Sequence, residues 1–271
     1  MKKLFFVLAF VVSMAAIGFS QESDFYTFFV NIVSEQFRLP LVGFVNIAQE
    51  NHNSPQIGLV NWNTKNFSGF QAGLINTTGG SLSGAQVGLV NASEKRLLGF
   101  QLGLINSADS IEDGIPIGLI SIVRNGGYHA IEYSFSEFHP VNIGIKLGVD
   151  KFYTTIIAAY NPIEGAALEN FATGMGLGLI IPINTHLFIN PELNYLFTPF
   201  GDITNSILSF VPYFGYNITK NISVLIAPSI TWVHNFGEDD LIKPFFKIVS
   251  NDINERNSIA VGVRASLRVR F

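Results

Sequence analysis

A 15-residue repeat in the first half of the chain limits the possible folds more than any other feature. Six glycines follow one another at this spacing, and each begins a triplet of the Gly-Leu-Ile or Gly-Leu-Val type. The consensus of the copies is G-x-Q-x-G-L-(I/V)-N. The repeated positions are Gly43, Gly58, Gly73, Gly88, Gly103 and Gly118, with Asn46, Asn61, Asn76, Asn91 and Asn106, and with Gln56, Gln71, Gln86 and Gln101. A constant step of this kind indicates one small structural unit that is used repeatedly.

Within each copy, residues alternate as they do along a β-strand. In the third copy, the apolar side holds Phe70, Ala72 and Leu74, and the opposite side holds Gln71, Gly73 and Ile75. The copies also show a second period of 30 residues, because residues 56–84 match residues 86–114 better than neighbouring copies match each other. Duplicated hairpins of a barrel wall and duplicated coils of a solenoid would both leave this trace, so the two architectures stay open.

The copies resemble the short surface-repeat family of outer-membrane proteins in diderm bacteria, whose members carry tandem G-x-Q-x-G-L-I-N units behind a signal peptide. The resemblance covers residues 39–122. The first copy departs from the pattern at Leu39 and Leu41, and the last departs at Pro116 and Ser121, as is usual for terminal repeats. The resemblance implies an outer-membrane location and carries over no catalytic residue.

The N-terminus has the features of a secretory signal peptide. Lys2 and Lys3 precede an apolar stretch over residues 4–17, and small residues follow up to Ser20. We therefore predict a signal peptide over residues 1–20 that is cleaved after Ser20. The chain has no cysteine, which excludes a lipid-anchored cysteine and a disulfide framework.

The composition points to β-structure. Hydrophobic residues make up 48% of the chain, yet charged residues make up only 13%. Beyond the N-terminal stretch, no apolar run approaches the roughly 18 residues that a membrane helix needs. The hydrophobicity is therefore dispersed, and 25 phenylalanines with 25 glycines suit strands and tight turns. The formal net charge of −4 offers no basic surface for nucleic acid.

The second half of the chain loses the repeat but keeps the alternation of a β-strand. The alternating segments are about 9 to 12 residues long, which is the length that a tilted strand needs to cross a membrane. They cover residues 141–149, 174–181, 186–197 and 222–232. These segments predict a wall of membrane-spanning strands.

The final segment is the clearest of these strands. From Ile259 to Phe271, apolar residues alternate with a face that carries Arg264, Arg268 and Arg270. Arginines within a membrane strand are tolerable only where they face the lumen and the apolar residues face lipid. The segment also resembles the C-terminal recognition strand of outer-membrane β-barrels. We therefore predict that Phe271 is an assembly signal that the barrel-insertion machinery reads.

Only helices and closed barrels satisfy their backbone hydrogen bonds in lipid, so we predict an all-β, transmembrane antiparallel β-barrel. Six repeats and about eight later strands predict roughly 14 strands, within about 12 to 16. The barrel would occupy residues 21–271 as a single domain, with the repeats of residues 39–122 as short wall strands and residues 128–271 as longer membrane strands. Residues 25–33 would be a further strand or a lumen plug, and residues 241–254 an outer loop.

The alternative is that the repeats form a small parallel β-solenoid attached to a smaller barrel. The constant 15-residue step favours the solenoid, because the outer loops of barrels vary in length. The 30-residue period and the adjoining membrane strands favour the wall.

The sequence contains no pattern typical of an active site. The five histidines show no HxH or HExxH spacing, and no G-x-S-x-G segment occurs. We therefore predict that the protein is not an enzyme and that it has no catalytic residue, cofactor or metal site.

Six charged residues are candidates for the lumen: Arg264, Arg268, Arg270, Glu132, Lys146 and Glu192. In a passive pore for small solutes, the three arginines would form a ladder that favours anions. In a structural or surface-interaction protein, Glu132 and Glu192 would pair with the arginines and close the lumen. The expected partners are outer-membrane lipids and the insertion machinery, not nucleic acid, and the oligomeric state stays open.

Overall fold

The structure is a computed structural model that describes residues 24–162, 170–198, 205–236, 244–246 and 248–271. The predicted signal peptide, residues 1–20, lies outside the described residues. The elements of the described part are β-strands, so the all-β prediction is confirmed. No helix in this part is long and apolar enough to cross a membrane. Where the sequence predicted a single domain, the chain divides into two compact units, one ending at Gly126 and the other beginning at Gly127.

The first unit is a parallel β-solenoid with two stacks of strands, preceded by β1 (Phe25–Tyr26), which pairs antiparallel with β2. The first stack contains β2 (Val30–Val33), β4 (Val45–Ala48), β6 (Val60–Asn63), β8 (Ile75–Thr78), the start of β10 (Val90–Leu102), β11 (Ile105–Ile111) and β13 (Ile120–Asn125). The second stack contains β3 (Leu41–Val42), β5 (Gln56–Ile57), β7 (Phe67–Ala72), β9 (Leu82–Val87), the end of β10 and β12 (Ile115–Ile117). Residues 25–33, expected as a further wall strand or a lumen plug, therefore contain β1 and β2 of this unit, with residues 27–29 between the two strands.

Two ladders of buried amide side chains run through the solenoid. Asn61 pairs in register with Asn76, and Asn76 with Asn91, so equivalent residues of successive coils are neighbours. The Asn61 Nδ2 donates to Asn76 Oδ1 at 2.7 Å, and the Asn76 Nδ2 donates to Asn91 Oδ1 at 2.9 Å. The glutamines repeat the arrangement, since the Gln86 Nε2 donates to Gln71 Oε1 at 2.7 Å. Each amide of these two ladders thus pairs with the equivalent residue of a neighbouring coil.

This pairing corrects the predicted position of the repeats. Residues 39–122 are not strands of an antiparallel barrel wall; they form the solenoid that the sequence offered as the alternative. An antiparallel wall would reverse every second copy and separate the asparagines from one another. Parallel stacking in register at a constant step brings them together, and the constant 15-residue step is what permits it.

The glycine of each copy lies at a tight corner between the two stacks. A Cβ atom at Gly73 would overlap the carbonyl oxygen of Gly58 in the preceding coil. The strand ends at this corner, so the predicted alternation does not continue through it. Leu74 and Ile75 both point outward, while Asn76 points inward like Gln71.

The second unit is a closed antiparallel barrel. Its wall strands are β14 (Tyr128–Phe135), β15 (Val141–Val149), β16 (Phe152–Tyr160), β17 (Phe171–Gly178), β19 (Leu187–Phe197), β20 (Asn205–Asn217), β21 (Ile222–Asn235) and β23 (Asn257–Arg270). Neighbouring strands pair in chain order, and β14 pairs with β23 to close the ring. The barrel has 8 strands, so the prediction of roughly 14 is wrong. The difference of six strands corresponds to the six repeats, which the sequence analysis counted as wall strands. For the part of the chain after the repeats, the sequence predicted about eight strands.

Two short strands extend the wall at its edges. β18 (Ile181–Pro182) pairs with β19, and β22 (Val249–Asn254) pairs with β23 beyond the end of β14. Residues 249–254, expected in an outer loop, therefore contribute to the sheet. Residues 241–243 and 247 of that expected loop lie outside the described residues.

Candidate functional site

The outer face of the barrel is apolar. The alternation that the sequence showed places large hydrophobic side chains outward on every wall strand, and most of them are half exposed. Examples from strands around the ring are Ile143, Ile156, Met175, Leu193, Phe214, Ile226 and Leu267. Among the described residues of the eight wall strands, no Asp, Glu, Lys or Arg points outward. This face matches hydrocarbon and would be poorly solvated in water.

Four charged side chains meet in the middle of the lumen, where they form what we call the lumen tetrad: Glu132, Lys146, Glu192 and Arg268. The Lys146 Nζ lies 2.5 Å from Glu192 Oε1 and 3.4 Å from Glu132 Oε1. The Arg268 Nε donates to Glu132 Oε2 at 2.6 Å, and its Nη2 donates to Glu192 Oε1 at 3.2 Å. Every member is at most 4% exposed. The two carboxylates and the two cations carry opposite charges, so the net charge of the tetrad is zero.

Two uncharged side chains complete the tetrad. The Tyr153 hydroxyl donates to Glu192 Oε1 at 2.5 Å, and its ring lies 5.1 Å from the Lys146 Nζ. The Asn190 Oδ1 accepts a hydrogen bond from the Arg268 Nη2 at 2.6 Å. A buried ion pair is stable only when further hydrogen bonds satisfy its members, and these two residues supply them.

A second ion pair lies nearer the long connections. The connection over residues 136–140, between β14 and β15, folds into the lumen and buries Glu137 completely. The Arg264 Nε donates to Glu137 Oε2 at 3.3 Å, while the Arg264 Nη2 donates to Ser209 Oγ at 2.7 Å. The Thr231 hydroxyl also donates to the Glu137 carboxylate. Arg264 is therefore neutralised by a residue of the connection.

Apolar side chains fill the lumen around these ion pairs. One cluster surrounds Phe138 of the inward connection and contains Ile157, Ala159, Ala172, Leu196, Ile207, Val233 and Ala260. Another contains Phe188, Val211, Tyr213, Leu225 and Ala227. A cavity beside the tetrad has a volume of about 20 Å³, enough for roughly one water molecule. An eight-stranded barrel is narrow enough for side chains to fill, and here they do.

Arg270 is placed differently from the other two arginines. Its side chain is 40% exposed at the end of the barrel with the short turns, where its Nη1 lies 3.5 Å from Asp150 Oδ1. The Arg270 Nη2 donates to the Gly127 carbonyl at 3.3 Å, and its guanidinium lies 5.1 Å from the Tyr128 ring centre. A cavity of about 250 Å³ opens there. The three arginines thus lie at separate levels, each with an acidic partner, and do not form an unpaired ladder.

The sequence identified the charged residues but missed several of their partners, among them Tyr153, Asn190 and Glu137. Tyr153 and Asn190 stand at inward positions of alternating strands, so their direction could have been read from the pattern. Glu137 lies in a connection, where alternation gives no direction. No local signal distinguishes it from a solvent-exposed acid.

The described residues contain no group of three or more His, Cys, Asp or Glu side chains placed to hold a metal ion. The acids of the lumen instead face arginine, lysine and tyrosine. The arrangement is suited to holding strands together.

No protein-family model matches the chain, and no curated protein matches it. Among solved structures, the chain is similar to the crystal structure of neisserial surface protein A (NspA), with 12% identity and a TM-score of 0.28. The match covers 54% of this chain and 94% of that one. The resemblance of the repeats to the surface-repeat family stays a prediction.

Proposed function

We propose that the chain is an outer-membrane β-barrel with a closed lumen that anchors the β-solenoid, and that it has a structural or surface-interaction role without enzymatic activity. The observation that carries the proposal is the lumen tetrad inside a closed barrel of eight strands. This role corresponds to the second of the two functions that the sequence left open.

The apolar outer face supports the membrane location. Each wall strand pairs on both sides, so its backbone groups are satisfied without water. The outward side chains are hydrophobic, and the charged ones point inward. Closed barrels of this kind are typical of outer membranes, and the predicted signal peptide would direct the chain there.

The filled lumen supports a non-conducting role. A solute would have to separate the Lys146–Glu192 and Arg268–Glu132 pairs, each of which is buried. Opening would leave charged groups without partners in a medium of low dielectric constant, which costs several kcal/mol for each ion, or about 3 to 5 kcal/mol for a broken pair. The barrel therefore favours the closed state.

Planar bilayers test this proposal. We expect folded protein, identified by its heat-modifiable migration, to give no channel events. An open porin added to the same bilayer serves as the control that conductance is detectable. Stepwise conductance with anion preference, reduced in the Arg264→Ala and Arg268→Ala double variant, would contradict the proposal and support the passive pore.

A further prediction concerns assembly. The Phe271 backbone N–H donates to the His129 carbonyl at 3.1 Å, while its ring stays 69% exposed and accessible to another protein. We expect Phe271→Asp, or deletion of Phe271, to leave export intact and to lower the amount of heat-modifiable barrel in outer membranes. Phe271→Tyr keeps a terminal aromatic residue and should assemble normally. Wild-type amounts of folded barrel after deletion would argue against the recognition signal.

A further inference from the structure

One edge of the solenoid exposes a row of hydrophobic side chains, which we call the apolar edge. The row consists of the residue that follows each of the first five corner glycines, and its members are 49% to 55% exposed: Phe44, Leu59, Leu74, Leu89 and Leu104. Neighbouring coils are about 4.8 Å apart, so the row extends roughly 19 Å. More exposed hydrophobic side chains flank it on both sides, namely Ile57, Phe70, Ile75, Leu102 and Ile105. Soluble proteins rarely expose so continuous an apolar surface.

The backbone along this edge needs no further partner. The Gly73 N–H donates to the Val87 carbonyl at 3.0 Å, and the Leu74 N–H donates to the Leu59 carbonyl at 2.9 Å. The same bonds recur from coil to coil, for example from the Leu89 N–H to the Leu74 carbonyl at 3.0 Å. The edge can therefore meet an apolar medium without leaving peptide groups unsatisfied.

The charges of the solenoid lie half a coil away from the apolar edge. Within residues 39–122 the charged residues are Glu50, Lys65, Glu94, Lys95, Arg96, Asp109, Glu112 and Asp113. Some of them pair between coils, as Arg96 does with Glu112 at 2.7 Å. We call this side the charged edge. The solenoid is amphipathic across its width, as is a helix that lies in a membrane interface.

We propose that the apolar edge of the solenoid docks on a lipid bilayer surface and inserts its leucine row at the boundary between headgroups and acyl chains. The inference rests on the proposed function, because β13 ends at Asn125 and the membrane barrel begins at Tyr128. This short connection keeps the solenoid within reach of the bilayer.

Three features favour lipid over a protein partner. The row repeats hydrophobic residues with no hydrogen-bonding group among them, whereas protein interfaces combine apolar anchors with polar contacts. The charged edge, which would be costly to bury, faces the opposite way. At the first coils, Phe28 and Phe29 add exposed rings that contact Phe44, with centroids 5.8 and 5.6 Å from it, and aromatic rings are favoured at membrane interfaces.

The absence of cysteine from the chain permits a direct test by site-specific fluorescence. Leu74→Cys and Leu89→Cys place a bimane label on the apolar edge, and Lys95→Cys places it on the charged edge. Ile226→Cys, at an outward barrel position that is 58% exposed, reports membrane insertion. The full chain is folded into phosphatidylcholine vesicles with or without brominated acyl chains, and aqueous iodide is the second quencher.

We expect brominated lipid to remove most of the emission at Leu74→Cys, Leu89→Cys and Ile226→Cys, and iodide to quench Lys95→Cys alone. Iodide quenching of the two leucine variants, with Ile226→Cys still quenched by lipid, would overturn the docking and leave the proposed function intact. Protection of the leucine variants from both quenchers would mean that protein, including a second copy, covers the edge, which also overturns it. If lipid fails to quench Ile226→Cys, the membrane barrel and the docking fail together.

Discussion

Replacing Arg268 with alanine is expected to destabilise the barrel by about 3 to 5 kcal/mol, because the change removes one of the two cations that neutralise the buried carboxylates Glu132 and Glu192. Glu132 would lose the donor at 2.6 Å and Glu192 the donor at 3.2 Å. Lys146 alone would then face two carboxylates. The measurement is the urea midpoint for loss of the heat-modifiable form in detergent micelles.

Arg270→Ala is the matched control for this change, since both arginines belong to β23 and point to the same face. Arg270 is half exposed and its ion pair with Asp150 is long, so its removal should cost about 1 kcal/mol or less. The double variant Arg268→Met with Glu132→Gln removes one charge of each sign and should recover part of the stability. Equal effects of Arg268→Ala and Arg270→Ala would show that the tetrad does not stabilise the barrel.

Replacing Gly73 with valine is expected to disrupt the solenoid, at a cost of about 3 kcal/mol from overpacking and from one unsatisfied amide. The new side chain would overlap the Gly58 carbonyl and press against the Asn61 Nδ2, which belongs to the asparagine ladder. Neither residue can move freely, because the Gly58 N–H donates to the Ala72 carbonyl and the Asn61 Nδ2 donates to Asn76 Oδ1. Hydrogen exchange of the full chain, read by mass spectrometry, should show faster exchange in the coils around Gly73.

Ala72→Val introduces the same side chain one position earlier and provides the control. Position 72 points outward, and the equivalent positions of the neighbouring coils already hold Ile57 and Val87. This variant should exchange like the original protein. If the two variants exchange alike, the corner glycine is not required by close packing.

The two units distribute their polar and hydrophobic residues in opposite ways. The barrel places charged residues inside and hydrophobic residues outside, which suits a lipid environment. The solenoid buries uncharged amides in ladders and divides its outer surface into an apolar and a charged edge. In both units the main buried polar groups, the amides of the two ladders and the ions of the lumen tetrad, are paired with one another, because an unpaired group in the interior would cost about 1 to 3 kcal/mol.

Much of the barrel could be predicted from sequence, since alternation marks which residues of a strand share a face. The segment over residues 141–149 coincides with β15, the segment over residues 186–197 begins one residue before β19, and the final alternating segment lies in β23 apart from Phe271. The number of wall strands could not be predicted in the same way. The number of strands depends on whether the repeats belong to the wall. Alternation along one strand does not show which strands pair with each other.

In the candidate site, the direction of the side chains could be predicted from sequence, but their contacts could not. The inward direction of Arg268 and Glu192 follows from their places in alternating strands. Their contact joins residues 76 positions apart in the chain, and Glu137 reaches Arg264 from a connection whose path alternation does not describe. Whether the lumen is open or closed therefore depends on distances between strands.

The sequence by itself determined the 15-residue period and the face to which a side chain belongs within an uninterrupted strand, because these properties depend on local spacing along the chain. The tertiary structure alone decided that the repeats stack in parallel, that 8 strands close the barrel, and that the lumen charges neutralise one another. Pairing direction and ion-pair geometry depend on which distant segments become neighbours. Amide ladders and buried ion pairs stabilise the protein only after these distant segments are in contact.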